Sequence, residues 1–544
     1  MRKRSLALLA ALVFSACTRS DQTGAPEAGA GRQNAYTIPH TLRLGDIQDF
    51  DNLNPHLSTA IQLGTLSELT MAYLVRYDAH NRPRPELATE VPTQQNGGVS
   101  KDGLTITWHL RHGVRWSDGA PFDADDVVFS TNVVNNPANN EVGRDGWNLI
   151  TKIDEPDKYT VVFHLKKPYS GYLPTFFGSA GANPCILPKH ILGNLPNINQ
   201  APYNSKPVGI GPFRYVEWVR GDHVTLEANP YYWRGEPKLK KIVYKVIPDR
   251  NTLLTELQTG EIDMWAFVPP AYVGRAVALP NVDHVRGPSY LYMHLDFNTT
   301  RPALADQTVR EALRLATDRK LLIDKVNHGV GLLQESPESS VSPWYTPIPL
   351  VPYDPAKANQ LLDQDGWKRG PDGIRAKNGV RLNLEWGTNS GSPDGDARIE
   401  QIRSMWKQIG VAITVKHYNP ALYFQLTGGV IYGGKFDVTA FLWQMTPDGD
   451  LNPINSCTEM PPNGQNVTRL CDPKTIQPLL DQEKLAYDEA ARKAIIAKAT
   501  RAISDRVPYE VLLLMEDVHA YNKDLKNFHP NATTPFDDFM NVDI

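Results

Sequence analysis

A strand, a helix and a second strand follow one another between residues 382 and 415, and this pattern constrains the fold most. Leu382 to Trp386 and Ala412 to Val415 are short apolar runs, and Ala397 to Ile409 between them has helical periodicity. Two parallel strands joined by a helix lie side by side in a sheet that the helix covers. The pattern therefore predicts an α/β fold with a mixed sheet.

The first 16 residues have the order of a secretion signal. Three basic residues at positions 2 to 4 precede an apolar stretch from Leu6 to Phe14, and small residues then lead to Cys17. About ten apolar residues are too few to cross a hydrocarbon core, which needs roughly 20 residues of helix. We expect residues 1 to 16 to be a signal peptide that is removed on export.

The junction from Val13 to Cys17 resembles a bacterial lipobox, although Phe14 stands where Leu is usual. In a lipobox the cysteine becomes the lipidated first residue of the mature protein, so we expect Cys17 to carry acyl chains that hold the protein at a membrane. Residues 17 to 35, rich in Gly, Ala, Ser and Gln, would then form a flexible tether. The alternative is a simple cleaved signal followed by an incidental cysteine.

The body of the protein is too long for one core. Removing the signal leaves 528 residues, so we expect two or three domains. Loss of three positive charges takes the formal net charge from −4 to −7, which does not favour a nucleic-acid partner. No further apolar run approaches membrane length, so the membrane would be reached only through the lipid.

Besides Cys17, the chain has three cysteines, at positions 185, 457 and 471. In an oxidising compartment Cys457 and Cys471 can close a short loop, worth roughly 3 kcal/mol in the chain-entropy model. Cys185 would remain as a buried free thiol. The spacing of the three matches no usual zinc pattern, so we expect no metal and no cofactor.

Several blocks, found together and in this order, are similar to the large oligopeptide and dipeptide receptor group of bacterial extracellular solute-binding proteins. The similarity runs over nearly the whole mature chain. The blocks are Glu86 to Ala88, Leu110 to Val127 (LRHGVRWSDGAPFDADDV), Gly209 to Phe213, Asn229 to Trp233, Gly260 to Asp263, Asp306 to Leu313, Asp318-Arg319 and Trp406 to Val411. Their turn and capping residues suit a scaffold role and not a ligand contact.

The resemblance implies an α/β, two-lobed periplasmic-binding-protein type II fold with an extra domain, giving three domains. Its pattern assigns residues 36–80, 205–292 and 518–544 to the core domain of lobe 1, 81–204 to an accessory domain of lobe 1, and 293–517 to lobe 2. Chain crossings near 292 and 517 would form a hinge, and the lobes would close over the ligand.

The resemblance also places a ligand-facing strip in lobe 2, after the strand that ends at Phe441. In peptide receptors such a strip pairs with the ligand backbone as an added β-strand, so side chains are selected only loosely. Trp443 suits a cavity wall, although a core position is its alternative. The residues of this strip are Leu442, Trp443, Gln444, Met445 and Thr446.

At one position the chain departs from the peptide-receptor pattern. Such receptors carry an Asp three residues after this Trp, where it pairs with the ligand's ammonium, and this chain has Thr446. A buried ammonium without a carboxylate is costly. Asp448 or Asp450 could take the role if the segment contains a two-residue insertion, whereas the alternative is a solvated Asp-Gly turn.

The side of the cleft that faces this strip is expected to come from three further places. These are the loop after the first strand, the accessory domain and the start of lobe 2. The residues expected there are Thr59 and Ile61, then Asp145 and Trp147, then His294 and Asp296. For His294 the alternative is a buried histidine whose hydrogen bonds are made within the protein.

The resemblance therefore implies a receptor that captures a solute, by default a peptide, on the outer side of the membrane. Its partners would be the permease subunits of an ABC importer with separate ATPase subunits, since the chain has no phosphate-binding loop of its own. We expect a monomer. Oligosaccharides, opines or metal complexes are alternative ligands, and a receptor-like sensor or chaperone is an alternative class.

A secreted enzyme is the remaining alternative, because a lidded cleft with carboxylates can perform acid and base chemistry. The sequence has no Gly-x-Ser-x-Gly elbow and no His-Glu-x-x-His zinc helix. His109 and His112 have no carboxylate or cysteine at ligand spacing. The sequence thus predicts a binding protein and not an enzyme.

Overall fold

The computed structural model describes residues 34–544 except 59, 145, 180–183 and 427. The predicted signal peptide, Cys17 and all but the last two residues of the predicted tether lie outside this part of the chain. Within it, no helix combines the length and the apolar character that crossing a bilayer requires.

The strands are described first, in chain order. They are β1 (Thr41–Asp46), β2 (Val75–Tyr77), β3 (Pro83–Pro85), β4 (Thr105–His109), β5 (Ile150–Asp157), β6 (Thr160–Leu165), β7 (Phe213–Val219), β8 (His223–Ala228), β9 (Lys241–Val246), β10 (Met264–Trp265), β11 (Val282–Phe297), β12 (Lys368–Arg369), β13 (Arg375–Lys377), β14 (Val380–Arg381), β15 (Asn383–Asn389), β16 (Ala412–Tyr418), β17 (Val438–Gln444) and β18 (Tyr509–Asn522).

The α-helices lie between these strands and vary from one turn to five. They are α1 (Ile61–Thr70), α2 (Ala124–Asn135), α3 (Tyr172–Thr175), α4 (Lys189–Leu192), α5 (Arg250–Thr259), α6 (Pro270–Ala276), α7 (Gln307–Leu315), α8 (Arg319–Lys325), α9 (Pro355–Gln364), α10 (Pro393–Gln408), α11 (Pro420–Tyr423), α12 (Asn452–Asn455), α13 (Ile476–Glu483) and α14 (Glu489–Arg506). Short 3-10 turns cover Trp147–Leu149, Pro202–Ser205 and Cys457–Glu459.

One mixed sheet runs through most of the described chain, in the order β16-β15-β17-β11-β18-β10-β1-β9-β8-β7. The strand, helix and strand predicted between residues 382 and 415 are β15, α10 and β16, and the two strands are parallel. The predicted α/β class with a mixed sheet is therefore confirmed.

Two long strands, β11 and β18, join the two halves of this sheet. The first half of β11 pairs with β18 from Val282 to Pro288, and the second half pairs with it from Tyr292 onward, with a register shift between Pro288 and Tyr292. Only the second half also pairs with β17. Each half of the sheet therefore has its own neighbouring strands, and the register shift lies where the two halves meet.

Separate hydrophobic cores support the two lobes and the accessory region. One core packs β1, α1 and β7 to β10 together with the C-terminal segment after Leu525. Another packs α7, α9, α10 and the second half of β11. A third surrounds the sheet of β4, β6 and β5, with Trp108, Trp116 and Trp147 fully buried inside it.

The segment from Cys185 to Tyr203 packs on the first of these cores, although the predicted bounds place it in the accessory domain. These apolar contacts pack the accessory region against lobe 1. The bounds of the three domains stay a prediction.

Within lobe 1, His519 of β18 lies in an aromatic environment close to the boundary between the lobes. It is 2% exposed, and its ring packs edge-on against Phe267 (4.8 Å between centroids), Phe528 (5.5 Å) and Phe536 (6.1 Å). Burial lowers the pKa of His519 to about 3, because a charged imidazole would lose its hydration there. The native state therefore holds this histidine neutral.

We expect acid to destabilise the protein partly through His519. Its pKa is lower in the folded chain than in the unfolded chain, so its contribution to stability is present above pH 6.5 and is lost as the pH falls. Between pH 7 and pH 5 the wild type should lose about 2 kcal/mol more than a His519→Phe variant. Urea unfolding of both proteins at the two pH values measures this difference, and equal losses would contradict the assignment.

Candidate functional site

Strand β17 has one paired edge and one free edge. It pairs with β11 from Val438 to Gln444, whereas the only residue that pairs it with β15 is Val438. The Met445 amide donates to the Tyr290 carbonyl (3.0 Å), so the main-chain groups of Leu442 and Gln444, which alternate with it, point to the other edge. Among the strands that the structure describes, none covers this edge beyond Val438.

The predicted strip therefore contains main-chain donors and acceptors that are free to pair. The Leu442 side chain is 43% exposed, and those of Gln444 and Thr446 are also exposed. Trp443 is partly buried on the opposite face of the strand, where its ring lies 6.4 Å from that of His294 and nearly perpendicular to it. Trp443 is thus neither a fully buried core residue nor a fully exposed one.

The chain turns sharply after this strip, and the turn is held in place by Trp344. Gly449 has a φ of +70°, and a Cβ atom there would lie 2.7 Å from the Cβ of Trp344, so only glycine fits. The indole nitrogen of Trp344 donates to the Pro447 carbonyl (3.0 Å). Asp448 is consequently held at 8% exposure and is not part of a solvated turn.

A cluster of three carboxylates and one guanidinium, which we call the acid cluster, surrounds this turn. It consists of Asp448, Asp450, Glu483 and Arg492. Arg492 Nε donates to Glu483 Oε1 (2.7 Å), and its Nη2 donates to Asp448 Oδ2 (3.3 Å). Asn452 Nδ2 donates both to Glu483 Oε2 and to Asp450 Oδ1 (2.8 Å each), so it links these two acids.

The acid cluster carries more acids than its single base can neutralise. Burial raises the pKa of Glu483 to about 8, and the neighbouring charges of Asp450 and Asp448 add to this rise against the opposing effect of Arg492. Burial and the charge of Asp448 also raise the pKa of Asp450. The site would therefore be stabilised by one further positive charge.

Asp448 has one oxygen without a partner. Its Oδ1 is buried and accepts no hydrogen bond from the described residues, while Oδ2 accepts from Arg492. A Cβ atom on Gly171 of the accessory region would lie 3.1 Å from Asp448 Oδ2, so this carboxylate lies directly between lobe 2 and lobe 1.

Next to the acid cluster, the two lobes touch through a contact that we call the latch. The Tyr487 hydroxyl accepts from the Tyr169 amide (2.7 Å) and donates to the Gly103 carbonyl (3.2 Å). Ser170 donates its amide to the Lys484 carbonyl (3.1 Å) and its hydroxyl to the Glu483 carbonyl (3.0 Å). The sequence alone did not indicate these residues, because partners more than 300 positions apart leave no local pattern.

On the lobe 1 side, Thr59 and Asp145 lie outside the described residues, and the position of the Ile61 side chain is not described. Their predicted ligand contacts stay predictions. Trp147 is 1% exposed and packs edge-on against Phe176 (5.3 Å) and Phe177 (4.7 Å). This environment is that of a core residue, and the ligand contact of Trp147 stays a prediction.

The loop that contains these positions is anchored by His56, which sequence analysis did not single out. His56 Nδ1 lies 2.6 Å from Glu141 Oε2, and its Nε2 lies 2.7 Å from the Cys185 carbonyl, all of them buried. Burial alone would lower the pKa of His56, but Glu141 and the Cys185 carbonyl raise it well above its usual value. A charged His56 therefore donates from both ring nitrogens and fixes the loop to the accessory region.

The last two predicted positions, His294 and Asp296, lie on the buried face of β11. His294 Nδ1 is 2.9 Å from Asp296 Oδ1, and both side chains are about 1% exposed. They lie behind Trp443 rather than on the surface of the cleft. Of the predicted positions, those from Leu442 to Asp450 thus lie in one region, and His294 and Asp296 lie on the buried face of the sheet next to Trp443.

The predicted disulfide between Cys457 and Cys471 is present, and Cys185 is a buried free thiol. No group of three or more potential metal ligands occurs within the described ranges.

Comparison with known proteins places this arrangement in a family. The chain is 30% identical to the oligopeptide-binding protein AppA of Bacillus subtilis over 424 residues, which are 76% of each chain. The structure of that protein in complex with a nonapeptide superposes with a TM-score of 0.74 at 25% identity and covers 92% of this chain and 98% of the other.

A second solved structure, NikZ from Campylobacter jejuni in complex with Ni(L-His), superposes with a TM-score of 0.73 at 26% identity and the same coverage. These similarities confirm the predicted two-lobed type II fold. The family model for bacterial extracellular solute-binding proteins, family 5 middle, matches residues 82 to 462. The chain therefore belongs to the family 5 extracellular solute-binding proteins of bacteria.

Proposed function

We propose that this solute-binding protein captures short peptides in the cleft between its lobes and delivers them to an ABC importer. Members of its family are extracytoplasmic receptors and not enzymes. The observation that carries the peptide assignment is the free edge of β17, which ends beside the unpartnered Asp448 oxygen. Similarity to AppA, whose structure contains a nonapeptide, supports the same ligand class.

An extended peptide satisfies the free edge because it supplies the missing main-chain donors and acceptors. Leu442 and Gln444 would then pair with the peptide backbone as an added strand. Main-chain pairing does not depend on the ligand's sequence, so it suits a receptor that accepts many peptides. Trp443 would form a wall at the base of the strip.

The ligand's terminal ammonium would bind at the acid cluster. Asp448 Oδ1 is buried without a partner among the described residues, and the cluster has three acids to one base. An ammonium donates three hydrogen bonds and would supply a further positive charge. Asp448 would thus take the role that Thr446 cannot fill, while Asp450, already bonded to Asn452, would act through its charge.

Closure of the lobes would complete the site. We propose that residues 36–80, 205–292 and 518–544 with the accessory domain 81–204 form one lobe, that 293–517 form the other, and that the register shift after Pro288 is at the hinge. The latch exists only when the lobes meet, so its hydrogen bonds favour the closed state. A ligand that lies between the lobes would add further contacts to that state.

Export and anchoring complete the proposal. We propose that Cys17 is lipidated after removal of residues 1 to 16, that residues 17 to 35 form the tether, and that the receptor acts as a monomer. Its partners would be permease subunits with separate ATPases, as the names of related ABC transporter peptide-binding proteins suggest. The tether would let the receptor reach the permease while it stays at the membrane.

The Asp448→Asn variant should weaken binding of a pool of tripeptides by about 1.5 to 3 kcal/mol, because one charge-assisted hydrogen bond is lost. Asp450→Asn should have a smaller effect. Titration calorimetry with the pool and with its N-acetylated form measures both effects, and the acetylated pool should bind weakly to every variant. Asp505→Asn, an exposed position of the same lobe, is the control.

If acetylation changes nothing and Asp448→Asn binds as the wild type does, the acid cluster does not bind the ammonium. A non-peptide solute would then be the better assignment, with Trp443 as a stacking platform.

The Tyr487→Phe variant should bind the same pool about two to ten times more weakly, because it removes the hydroxyl of the latch and leaves the ring in place. Small-angle scattering should also show a smaller compaction on ligand addition. Tyr353→Phe, at an exposed tyrosine of lobe 2, is the matched control and should change neither quantity. Equal affinity of the two variants would show that the latch does not contribute to closure.

The Cys17→Ser variant should move from the membrane fraction to the soluble fraction of cells, because a protein without acyl chains loses its anchor. Fractionation of cells that express either form, with detection by antibody, measures the distribution. If both forms partition alike, Cys17 is not the anchor.

A further inference from the structure

Four polar side chains meet on the buried face of the sheet in lobe 2, and we call them the His294 cluster. Tyr292, His294 and Asp296 project from one face of β11, and Tyr509 projects from the neighbouring β18. The ring of His294 lies 5.3 Å from that of Tyr292 and 6.0 Å from that of Tyr509. All four are buried, with exposures between 0% and 7%.

Most of the polar atoms in this cluster lack a partner. The contact between His294 Nδ1 and Asp296 Oδ1 is the one hydrogen bond within it. His294 Nε2, Asp296 Oδ2 and the Tyr292 hydroxyl accept or donate none within the described chain. The Tyr509 hydroxyl lies near Asn455, but no hydrogen bond of normal geometry joins them.

Unpaired buried groups of this kind are costly to maintain. Each buried donor or acceptor left without a partner costs roughly 1 to 3 kcal/mol. Native proteins pair the large majority of such groups, and the exceptions concentrate where a ligand or an ordered water completes the pairing. Several unpaired atoms around one histidine therefore indicate a place that an external group fills.

The chemistry of the open atoms selects the kind of group. In a neutral His294 whose Nδ1–H donates a hydrogen bond to Asp296 Oδ1, Nε2 is an acceptor, and the second oxygen of the carboxylate accepts as well. The two tyrosine hydroxyls can accept too. A group with several N–H donors therefore fits this set better than a carboxylate or a carbonyl does.

The surrounding charge favours a cation. Glu338 lies near Tyr292 and Tyr509, where it accepts from the Thr500 hydroxyl (2.8 Å), and burial raises its pKa. No lysine or arginine of the described residues forms an ion pair with Asp296 or Glu338. The cluster and the neighbouring Glu338 thus provide two buried acids, and among the described residues only His294 forms an ion pair with either of them.

Two aromatic side chains separate the cluster from the proposed peptide strip. Phe441 and Trp443 of β17 both contact His294, at 4.4 and 6.4 Å between rings, and both are partly exposed. Both residues belong to β17, whose free edge is the proposed site of peptide pairing. A side chain of a peptide on that edge would meet this pair of aromatic rings, with the His294 cluster directly behind them.

We propose that the His294 cluster receives the guanidinium or ammonium end of a ligand side chain, so that the receptor prefers peptides with a basic residue beside Trp443. Phe441 and Trp443 would pack along the aliphatic part of that side chain, and the rings can also interact with the cation itself. This inference rests on the proposed peptide function and adds a selected side chain to it.

The test compares arginine with citrulline, which has nearly the same shape but no charge. Tripeptides of alanine with either residue at the first, second or third position are titrated by calorimetry into the wild type and into Asp296→Asn. At one position the wild type should bind the arginine peptide at least about tenfold more tightly than the citrulline peptide. Asp296→Asn should remove this preference.

Three results would overturn the proposal. The first is the absence of an arginine preference at every position, and the second is a preference that survives in Asp296→Asn. The third is a preference that N-acetylation of the peptide abolishes, because the cluster would then bind the ligand's terminus and not a side chain. Should Asp296→Asn fail to fold, as judged by circular dichroism, Tyr292→Phe replaces it. That variant removes one hydroxyl and should reduce the preference about threefold or more.

A second measurement separates this proposal from the peptide function. If trialanine and all other peptides fail to bind, the peptide assignment is wrong, and the cluster is tested with n-butylguanidinium against neutral n-butylurea. The cation alone should raise the melting temperature of the wild type and should have no such effect on Asp296→Asn. Equal shifts with the two compounds would refute a cation site.

Discussion

The antiparallel pair of β11 and β18 is the interaction on which the rest of the structure depends. Because both strands run through both lobes, the two halves of the sheet share one ladder of hydrogen bonds, which is irregular only between Pro288 and Tyr292 and next to His294. A ladder resists stretching but bends where its register changes. We propose that the lobes move as bodies about this line, so that the cleft, the acid cluster and the latch would open or close together.

Charge is distributed unevenly across that cleft. In lobe 1, buried charged groups pair with each other. One such pair is His56 and Glu141, which holds the loop after β1 against the accessory region. In lobe 2, Asp448 and Asp296 each keep one buried carboxylate oxygen that accepts no hydrogen bond from the described residues. A buried carboxylate without a full partner is unfavourable, so both places gain stability when a cation arrives.

The sequence predicts the fold well because its signals are local. The β15, α10 and β16 unit and the capping box that starts α2 at Asp123 depend on residues a few positions apart. The strip around Trp443 was located through resemblance, since nothing in its composition distinguishes a free strand edge from a paired one. The packing of Trp147 against Phe177 could not be predicted, because a tryptophan in a core and one in a cleft have the same local sequence. Tyr487 could not be found at all, since its partners come from another lobe.

Main-chain pairing and buried charge impose different demands on a ligand. Because they act on different parts of the ligand, one cleft can accept many peptide sequences and still select for charge. A free strand edge accepts any extended backbone, so it supplies affinity without discriminating between side chains. Selection must then come from points where a wrong group would leave a buried acid unpaired, since such a mismatch costs more than a missing apolar contact. Asp448 lies at the end of the strip and Asp296 lies behind its middle. A ligand with a positive charge at each point would be held in a single register along β17, whereas a ligand without them could slide along the edge.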